Sequence, residues 1–356
     1  MSAQRPGPSA PPVVKSATVS SQVGDAPVAD HSISIVVPVY QGERTLPSLL
    51  AEIEPLTRPS YSKSGHSFVV SEVLLVFDNG RDNSAAVMRD IAGKYEFVRL
   101  VWLSKNYGQH AATLAGMASS GGDWIVTLDE DGQHDPQDIA SMLDVAMDRQ
   151  ASVVYAAPTN KPSHGYLRNT ASSGAKWVLN RLASGSNAEI FQSYRLMLGG
   201  VGRSVAAYAG SGVYLDVALG WVAHNVVTCP IRLRDEGDRQ SGYSARRLFS
   251  HFWKMVLSSG TRGLRLVSAV GAVFLILAAV VAIVILIGRL TSNDVPEGWA
   301  STIVAVLVSS GAVLFSLGVI AEYIGVAVGM AQGRPPYLIV RDPLDGPLGR
   351  PARRTP

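Results

Sequence analysis

Residues 32–40 read SISIVVPVY and residues 123–129 read DWIVTLD. Each is a short apolar run rich in β-branched side chains and closed by a polar residue, the pattern of a strand covered on both faces. Working outward, residues 43–56 (ERTLPSLLAEIEPL) carry apolar side chains at helical spacing, and residues 72–78 (EVLLVFD) form another strand-like run. A helical pattern over 84–94, the run FVRLVWL at 97–103 and a helical pattern over 109–118 fill the interval. Strand–helix alternation from residue 32 to about 160 predicts an α/β domain on a doubly wound, mostly parallel sheet. Ligands of such sheets bind beyond the carboxyl ends of the strands. The segments standing there are 40–43, 78–82, 105–108 and 129–134, all polar, and together they predict one site.

The last of these is the sharpest. In LDEDGQHDP, residues 128–136, Asp129 and Asp131 lie two apart at a strand end, where both carboxylates can converge on one hard cation. Mg²⁺ or Mn²⁺ takes oxygen ligands of this kind and is commonly shared with substrate phosphates. Aspartate is also a common turn former, so an ordinary turn is the competing reading. No Walker A pattern and no G-x-G-x-x-G occurs, which argues against P-loop and dinucleotide sites.

The 356 residues accommodate one full-sized catalytic domain and a smaller element. The chain is 47% hydrophobic and 17% charged, and the apolar excess lies beyond residue 260, as expected of membrane spans. Residues 1–31, rich in Pro, Ser, Ala and Val with no apolar stretch behind a basic start, read as a disordered tail and not as a secretory signal. The one cysteine, Cys229, excludes an internal disulfide and fits a domain facing a reducing compartment. A net charge of +3 offers no argument for a nucleic-acid partner.

Residues 266–288 contain no charge, and residues 301–321 form a second long apolar run. A span needs about 20 such residues. Joined by the polar link RLTSNDVPEGWA, they predict a two-helix transmembrane hairpin over 264–330, with spans at about 266–288 and 301–323. Arg246, Arg247, Lys254, Arg262 and Arg265 precede it, and Arg334, Arg341, Arg350, Arg353 and Arg354 come after it. The excess of positive charge predicts a multi-pass plasma-membrane protein with the catalytic domain and both termini cytoplasmic, residues 331–356 being a tail. Glu322, near the inner end of the second span, fits either a functional group or one that reaches water. Upstream, residues 244–263 place Leu248, Phe249, Phe252, Trp253 and Val256 at helical spacing among basic residues, which predicts an amphipathic helix in the interface plane; a core-packing helix is the alternative. Hairpin spans often pack against a copy of themselves, so a homo-oligomer stays open.

The order VPVY, Asp78 after a strand, LSKNYG and LDEDGQHDP resembles the family 2 glycosyltransferases of GT-A fold. SYRLM at 193–197, RQSGYSARRLF at 239–249, the two apolar runs and AEYIG…GRPPYLIVRD narrow the likeness to the polyprenyl-phosphate glycosyltransferases, over roughly residues 32–342. The resemblance implies inverting transfer of a sugar from a UDP- or GDP-sugar to a polyprenyl phosphate, with Mg²⁺ or Mn²⁺ as cofactor. Pro38, Tyr40, Glu43, Asp78, Lys105 and Asp129 are thereby implied at the nucleotide-sugar, with Asp129 and Asp131 on the metal. Asp131, Gln133, Ser193 and Arg195 are implied at the catalytic centre, and Arg168, Arg234, Arg239 and Ser241 at the acceptor phosphate.

Several positions depart from the family pattern. PVYQGE replaces P-x-Y-N-E-E, DNGRDN stands for D-D-G-S-x-D, and Ser193 stands where many relatives carry a proposed aspartate base. A phosphate monoester has a second pKa of about 6, so a lipid-phosphate nucleophile needs positioning more than deprotonation. Two other readings remain: a glycolipid or polysaccharide acceptor, and a non-catalytic membrane scaffold with a degenerate site. The absence of a Q-x-x-R-W-type motif counts against the first, and the intact Asp129, Asp131 and Gln133 against the second.

Overall fold

The structure is a computed structural model that describes residues 29–160, 190–210, 213–234, 298–333 and 335–347, with single positions at 271, 273, 276, 280, 283 and 287. Strand β1 (His31–Val39) lies inside the sheet. Ile33, Ile35, Val37 and Val39 face one helix layer and Val36 the other, and all five are fully buried. Successive strand residues point to opposite faces, so a strand covered on both sides shows a continuous apolar run with no polar alternation. In β3 (Ser67–Phe77), Val73, Leu75 and Phe77 join the first layer while Leu74 and Val76 join the second.

The first layer consists of α1 (Leu46–Ile53), α2 (Ser84–Lys94) and α4 (Asp138–Arg149), packed through Leu46, Leu50, Met88, Ile139 and Met142. The second consists of α3 (Gln109–Ser119), α5 (Gly199–Tyr208) and α6 (Leu215–Val222), packed through Leu114, Met117, Val205 and Leu215. The doubly wound arrangement is therefore present.

The remaining strands are β2 (Ser60–Tyr61), β4 (Val98–Leu103), β5 (Trp124–Thr127), β6 (Val153–Pro158), β7 (Arg195–Leu198), β8 (Val226–Ile231) and β9 (Ile339–Val340). Their order is β8-β6-β7-β5-β1-β3-β4-β9, with β2 on β3. The core β5-β1-β3-β4 and the pair β6-β8 are parallel, whereas β7 runs antiparallel to both β5 and β6, and β9 runs antiparallel to β4. The expected mostly parallel sheet is thus corrected to a mixed one. The two-residue β9 is too short for a strand period to show, and β7 reads RLML, with no β-branched side chain to mark it as a strand. The direction of β7 matters for the site: Arg195 at its start pairs with Thr127 at the end of β5. The residues just before β7 therefore lie beside those just after β5.

Helix α7 (Trp299–Ala331) is 33 residues long. Among the described residues it is the one helix long and apolar enough to cross a membrane, over Val308–Gly329. Val313, Leu314, Phe315 and Leu317 on it are exposed, as is Glu322. In the first apolar run, positions 273, 276, 280, 283 and 287 are helical and exposed. Residues 1–28, the interfacial helix expected over 244–263, and Arg168, Arg239 and Ser241 lie outside the described residues.

After α7 the chain turns at Gly333, whose φ of +60° suits glycine, and Pro335 and Pro336 come next. The segment expected as a tail then returns to the sheet as β9. The Leu338 carbonyl accepts the Ser104 N–H at 3.0 Å. Asp342 accepts two bonds from Arg89 of α2, at 2.6 and 2.7 Å, and that guanidinium sits 4.6 Å from the Trp102 ring centroid. The bond from Arg89 holds the Asp342 carboxyl below its usual range. Its contribution to docking is therefore full above the ordinary aspartate pKa and lost as pH falls through the depressed value. Asp342→Asn is expected to weaken docking by about 1 kcal/mol, read as roughly fivefold faster hydrogen exchange at the Ser104 amide; unchanged exchange would show that the pair does not hold the strand.

Candidate active site

A cleft of about 380 Å³ opens at the carboxyl ends of β1 and β5. Its walls include Pro38 from β1; Gln109, His110 and Thr113 from α3; Leu128 and Asp129 after β5; and Phe191, Gln192 and Ser193 before β7. Arg195, Tyr214 and Asp216 complete it. Asp129 holds two side-chain donors: Gln109 Nε2 reaches Oδ1 at 2.5 Å and Ser193 Oγ reaches Oδ2 at 2.6 Å. The Ser193 carbonyl in turn accepts the Thr127 hydroxyl at 2.6 Å. The antiparallel β7 makes this clamp, because it carries Ser193 alongside the end of β5.

Asp131 lies on the same turn, outside the lining of the cleft, and its Oδ1 accepts the Gln133 N–H at 3.0 Å. Gly132 between them has φ +78°. Among the described residues no three His, Cys, Asp or Glu side chains are grouped to hold a metal ion by themselves. What the turn offers is two hard carboxylates, Asp129 and Asp131. That suits a Mg²⁺- or Mn²⁺-type ion completed by substrate phosphate oxygens, and does not suit a closed protein cage.

Glu130, between the two aspartates, faces the β1–α1 loop and accepts the N–H groups of Tyr40 at 3.1 Å and Gln41 at 2.9 Å. A Cβ at position 42 would stand 2.6 Å from Glu130 Oε2, which explains glycine there. The loop bearing Tyr40 is therefore fastened to the acidic turn. Glu43 accepts the Asn83 N–H while its own N–H reaches Asp82, at 3.1 and 3.2 Å, so it ties the same loop to the start of α2.

Asp78 is 3% exposed and directs both oxygens to main-chain donors, Tyr107 N at 2.7 Å and Gly108 N at 2.8 Å. Burial pushes its carboxyl above the usual range, against the pull of those two bonds. It holds the β4–α3 loop, on which Lys105 rests its ammonium 5.1 Å from the Tyr107 ring. Asn79, in the left-handed region at φ +52°, donates Nδ2 to the Leu103 carbonyl at 2.6 Å. An ionised aspartate could not make that bond, so the departure from D-D-G is locally consistent. Gly80 passes so close to Tyr40 that a Cβ would fall 1.6 Å from its carbonyl oxygen.

The floor of the cleft is a buried polar network. The Arg195 guanidinium pairs with Asp216, both side chains being 4% exposed, and Tyr155 donates its hydroxyl to the same carboxylate at 2.8 Å. Burial and the adjacent Asp216 charge push the Tyr155 hydroxyl well above its ordinary range, so it remains a donor. His110 and Tyr214, both lining the cleft, meet in a tilted ring contact with centroids 4.2 Å apart and ring planes inclined at 57°.

The structure thus brings Pro38, Asp129, Ser193 and Arg195 to one cleft, with Asp131 and Gln133 on the adjoining turn. Tyr40, Glu43, Asp78 and Lys105 form loops around it. Arg234 instead pairs with Glu52 at 2.6 Å and Asp135 at 2.9 Å, and its N–H bonds to the Gln133 carbonyl at 3.0 Å. The sequence reading did not single out Gln109, Glu130, Tyr155, Tyr214 or Asp216. Asp216 left one trace: an acid inside the apolar helical run YLDVALGW, a placement that in a buried helix calls for a partner.

Residues 34–199 match the Glycosyl transferase family 2 description. Over 325 residues the chain is 31% identical to an undecaprenyl-phosphate 4-deoxy-4-formamido-L-arabinose transferase of Pseudomonas paraeruginosa (strain DSM 24068 / PA7), covering 87% of this chain and 89% of that protein. The protein of the same description from Enterobacter sp. (strain 638) is 28% identical over 323 residues, covering 88% and 94%. Among solved structures, glucosyl-3-phosphoglycerate synthase of Mycobacterium tuberculosis aligns with a TM-score of 0.45 at 16% identity, over 65% of this chain and 81% of that one. Likeness sustained along nearly the whole chain, on a mixed GT-A-like sheet with the acidic turn at its ligand edge, settles the matter: the chain belongs to glycosyl transferase family 2.

Proposed function

We propose that the chain transfers a sugar from a nucleotide-sugar to a polyprenyl phosphate at the cytoplasmic face of a membrane. The observation that carries this is one cleft in which a carboxylate turn and a buried arginine lie side by side: Asp129 and Arg195, bridged by Ser193. Carboxylates gather a cation for the donor's diphosphate, and a guanidinium favours phosphate oxygens. The relatives, named as undecaprenyl-phosphate transferases, support the acceptor class. Helix α7 and the apolar run before it support a membrane hairpin.

In this reading Asp129 and Asp131 would hold a divalent cation, which when bound supplies charge neutralisation for the departing diphosphate. The chain's own residues align the reactants. The Glu130-fastened loop with Tyr40, and the Asp78-held loop with Lys105 and Tyr107, bracket the donor. Asp78 acts through that loop, its oxygens being engaged with main-chain donors. The acceptor's phosphate oxygen, already ionised at neutral pH, attacks the anomeric carbon. A new carbon–oxygen bond forms as the bond to the nucleoside diphosphate breaks, with inversion. No side chain need remove a proton, so a serine at 193 is tolerable where a base would otherwise stand. Arg234, paired with Glu52 and Asp135, stabilises the acidic turn from behind.

Ser193→Ala removes one bond to Asp129, a loss of about 1.5 kcal/mol for a charged acceptor. A fall of about tenfold in kcat/KM is expected; a thousandfold fall at unchanged stability would place Ser193 in the chemistry. The overall reading is tested by incubating purified protein with Mg²⁺, a panel of UDP- and GDP-sugars and a short polyprenyl phosphate, with products weighed by mass spectrometry. One donor should yield a polyprenyl-phosphate monosaccharide. Transfer only to a glycolipid or polysaccharide, or none at all, would overturn it.

A further inference from the structure

We infer that the segment after α7 is a leash that holds the mouth of the cleft toward the lipid surface; this rests on the polyprenyl-phosphate reading above. The direction of β9 carries the argument. Because β9 is antiparallel to β4, pairing Leu103 with Ile339 and Trp102 with Val340, the chain arrives from the membrane helix at the carboxyl end of β4. That is the sheet's ligand edge, where Ser104 bonds Leu338 and the loop held by Asp78 begins. A parallel strand at the same place would have brought the chain in at the opposite edge.

Length makes the arrival restrictive. From Ala331, the last residue of α7, to Ile339 there are eight residue steps, at most ~28 Å when fully extended. A domain of roughly 200 residues is about 40 Å across. The connector is thus too short for the domain to roll over and present its far edge to the bilayer. Docking is secured beyond β9 by the paired Asp342 and Arg89, with Arg89 against Trp102, and ahead of β9 by Tyr337 packed on the second helix layer. A lipid phosphate cannot travel far from its headgroup plane, so a cleft mouth kept near that plane meets the acceptor without the lipid being lifted out.

The test inserts six Gly and Ser residues after Gly333, which adds up to ~20 Å and makes the leash longer than the domain is wide. The same insertion after Gly346, beyond β9, is the control. In proteoliposomes the Gly333 insertion should lower transfer to a long polyprenyl phosphate at least tenfold. Transfer to a short, water-soluble prenyl phosphate should stay within twofold, and the control insertion should leave both unchanged. A second readout needs no turnover: a fluorophore on Asn106→Cys, in a Cys229→Ser background, reports energy transfer to labelled lipid in nanodiscs. Transfer should be strong in the parent and fall with the Gly333 insertion alone. Unchanged energy transfer, or equal loss on both acceptors, would overturn the leash. A parent protein inactive on both acceptors would overturn the functional reading instead, while energy transfer would still decide the leash.

Discussion

Asp131→Ala is expected to lower sugar transfer by about 10³-fold while leaving the fold intact. Asp131 is half-buried on the turn and its Oδ1 accepts the Gln133 N–H; truncation there is expected to cost stability about 1 kcal/mol. The catalytic loss has a different origin. In the proposed reading Asp129, in the cleft, and Asp131 would be the two oxygen donors from one turn, since no group of three or more acidic, imidazole or thiol side chains that could hold a metal ion occurs among the described residues. Removing one of the two would take away much of the affinity for a cation that would neutralise the leaving diphosphate, and an oriented charge of that kind is worth about 10²–10³ or more in rate. Two measurements check this: turnover at saturating Mg²⁺, and Mn²⁺ binding by paramagnetic resonance in the presence of a nucleoside diphosphate. Loss of both with an unchanged melting temperature is expected. Wild-type turnover would remove the cation from the mechanism.

The prominence of that turn in the sequence, against the silence of other parts of the site, has physical causes. β1 and β3 are legible because both faces are covered, which forces an unbroken apolar run, and a buried parallel core fixes the ligand edge by geometry. Hence Asp78, Asp129 and Asp131 stand out from strand ends alone. The roles within those clusters are less legible, since they depend on which way a side chain turns. Glu43 and Asp78 serve main-chain donors in neighbouring loops, and Glu130, between two candidate ligands, serves the β1–α1 loop. β9 is silent because two residues carry no readable period, and β7 because RLML lacks the β-branched side chains that make the equally short β5 legible. With them go the antiparallel pairings that place Ser193 beside Asp129 and fasten the chain after α7 to β4. Asp216 comes to Arg195 from a separate helix, 21 positions along the chain, a contact that only the tertiary fold creates.

That last contact yields the sharpest separation of stability from activity. Asp216→Ala is expected to destabilise the domain by about 3–5 kcal/mol, because it leaves the guanidinium of Arg195 buried without a counter-charge and the Tyr155 hydroxyl without its acceptor. For this reason its loss of turnover alone would say little. Arg195→Met combined with Asp216→Leu removes both charges and replaces them with apolar side chains, and should recover the part of that stability owed to the unpaired charge, since a buried ion pair exchanged as a unit for well-packed apolar groups is close to neutral, while the Tyr155 hydroxyl still lacks its acceptor. Activity should not return with it. If the pair's purpose is to hold a positive charge at the cleft floor beside Ser193 and Asp129, the double variant should remain at least ~100-fold slow. Chemical denaturation and turnover measured on the same three proteins decide the matter. A double variant that recovers both stability and rate would reduce Arg195 and Asp216 to packing, and one that recovers neither would show that the network's shape, and not its charge balance, supports the fold.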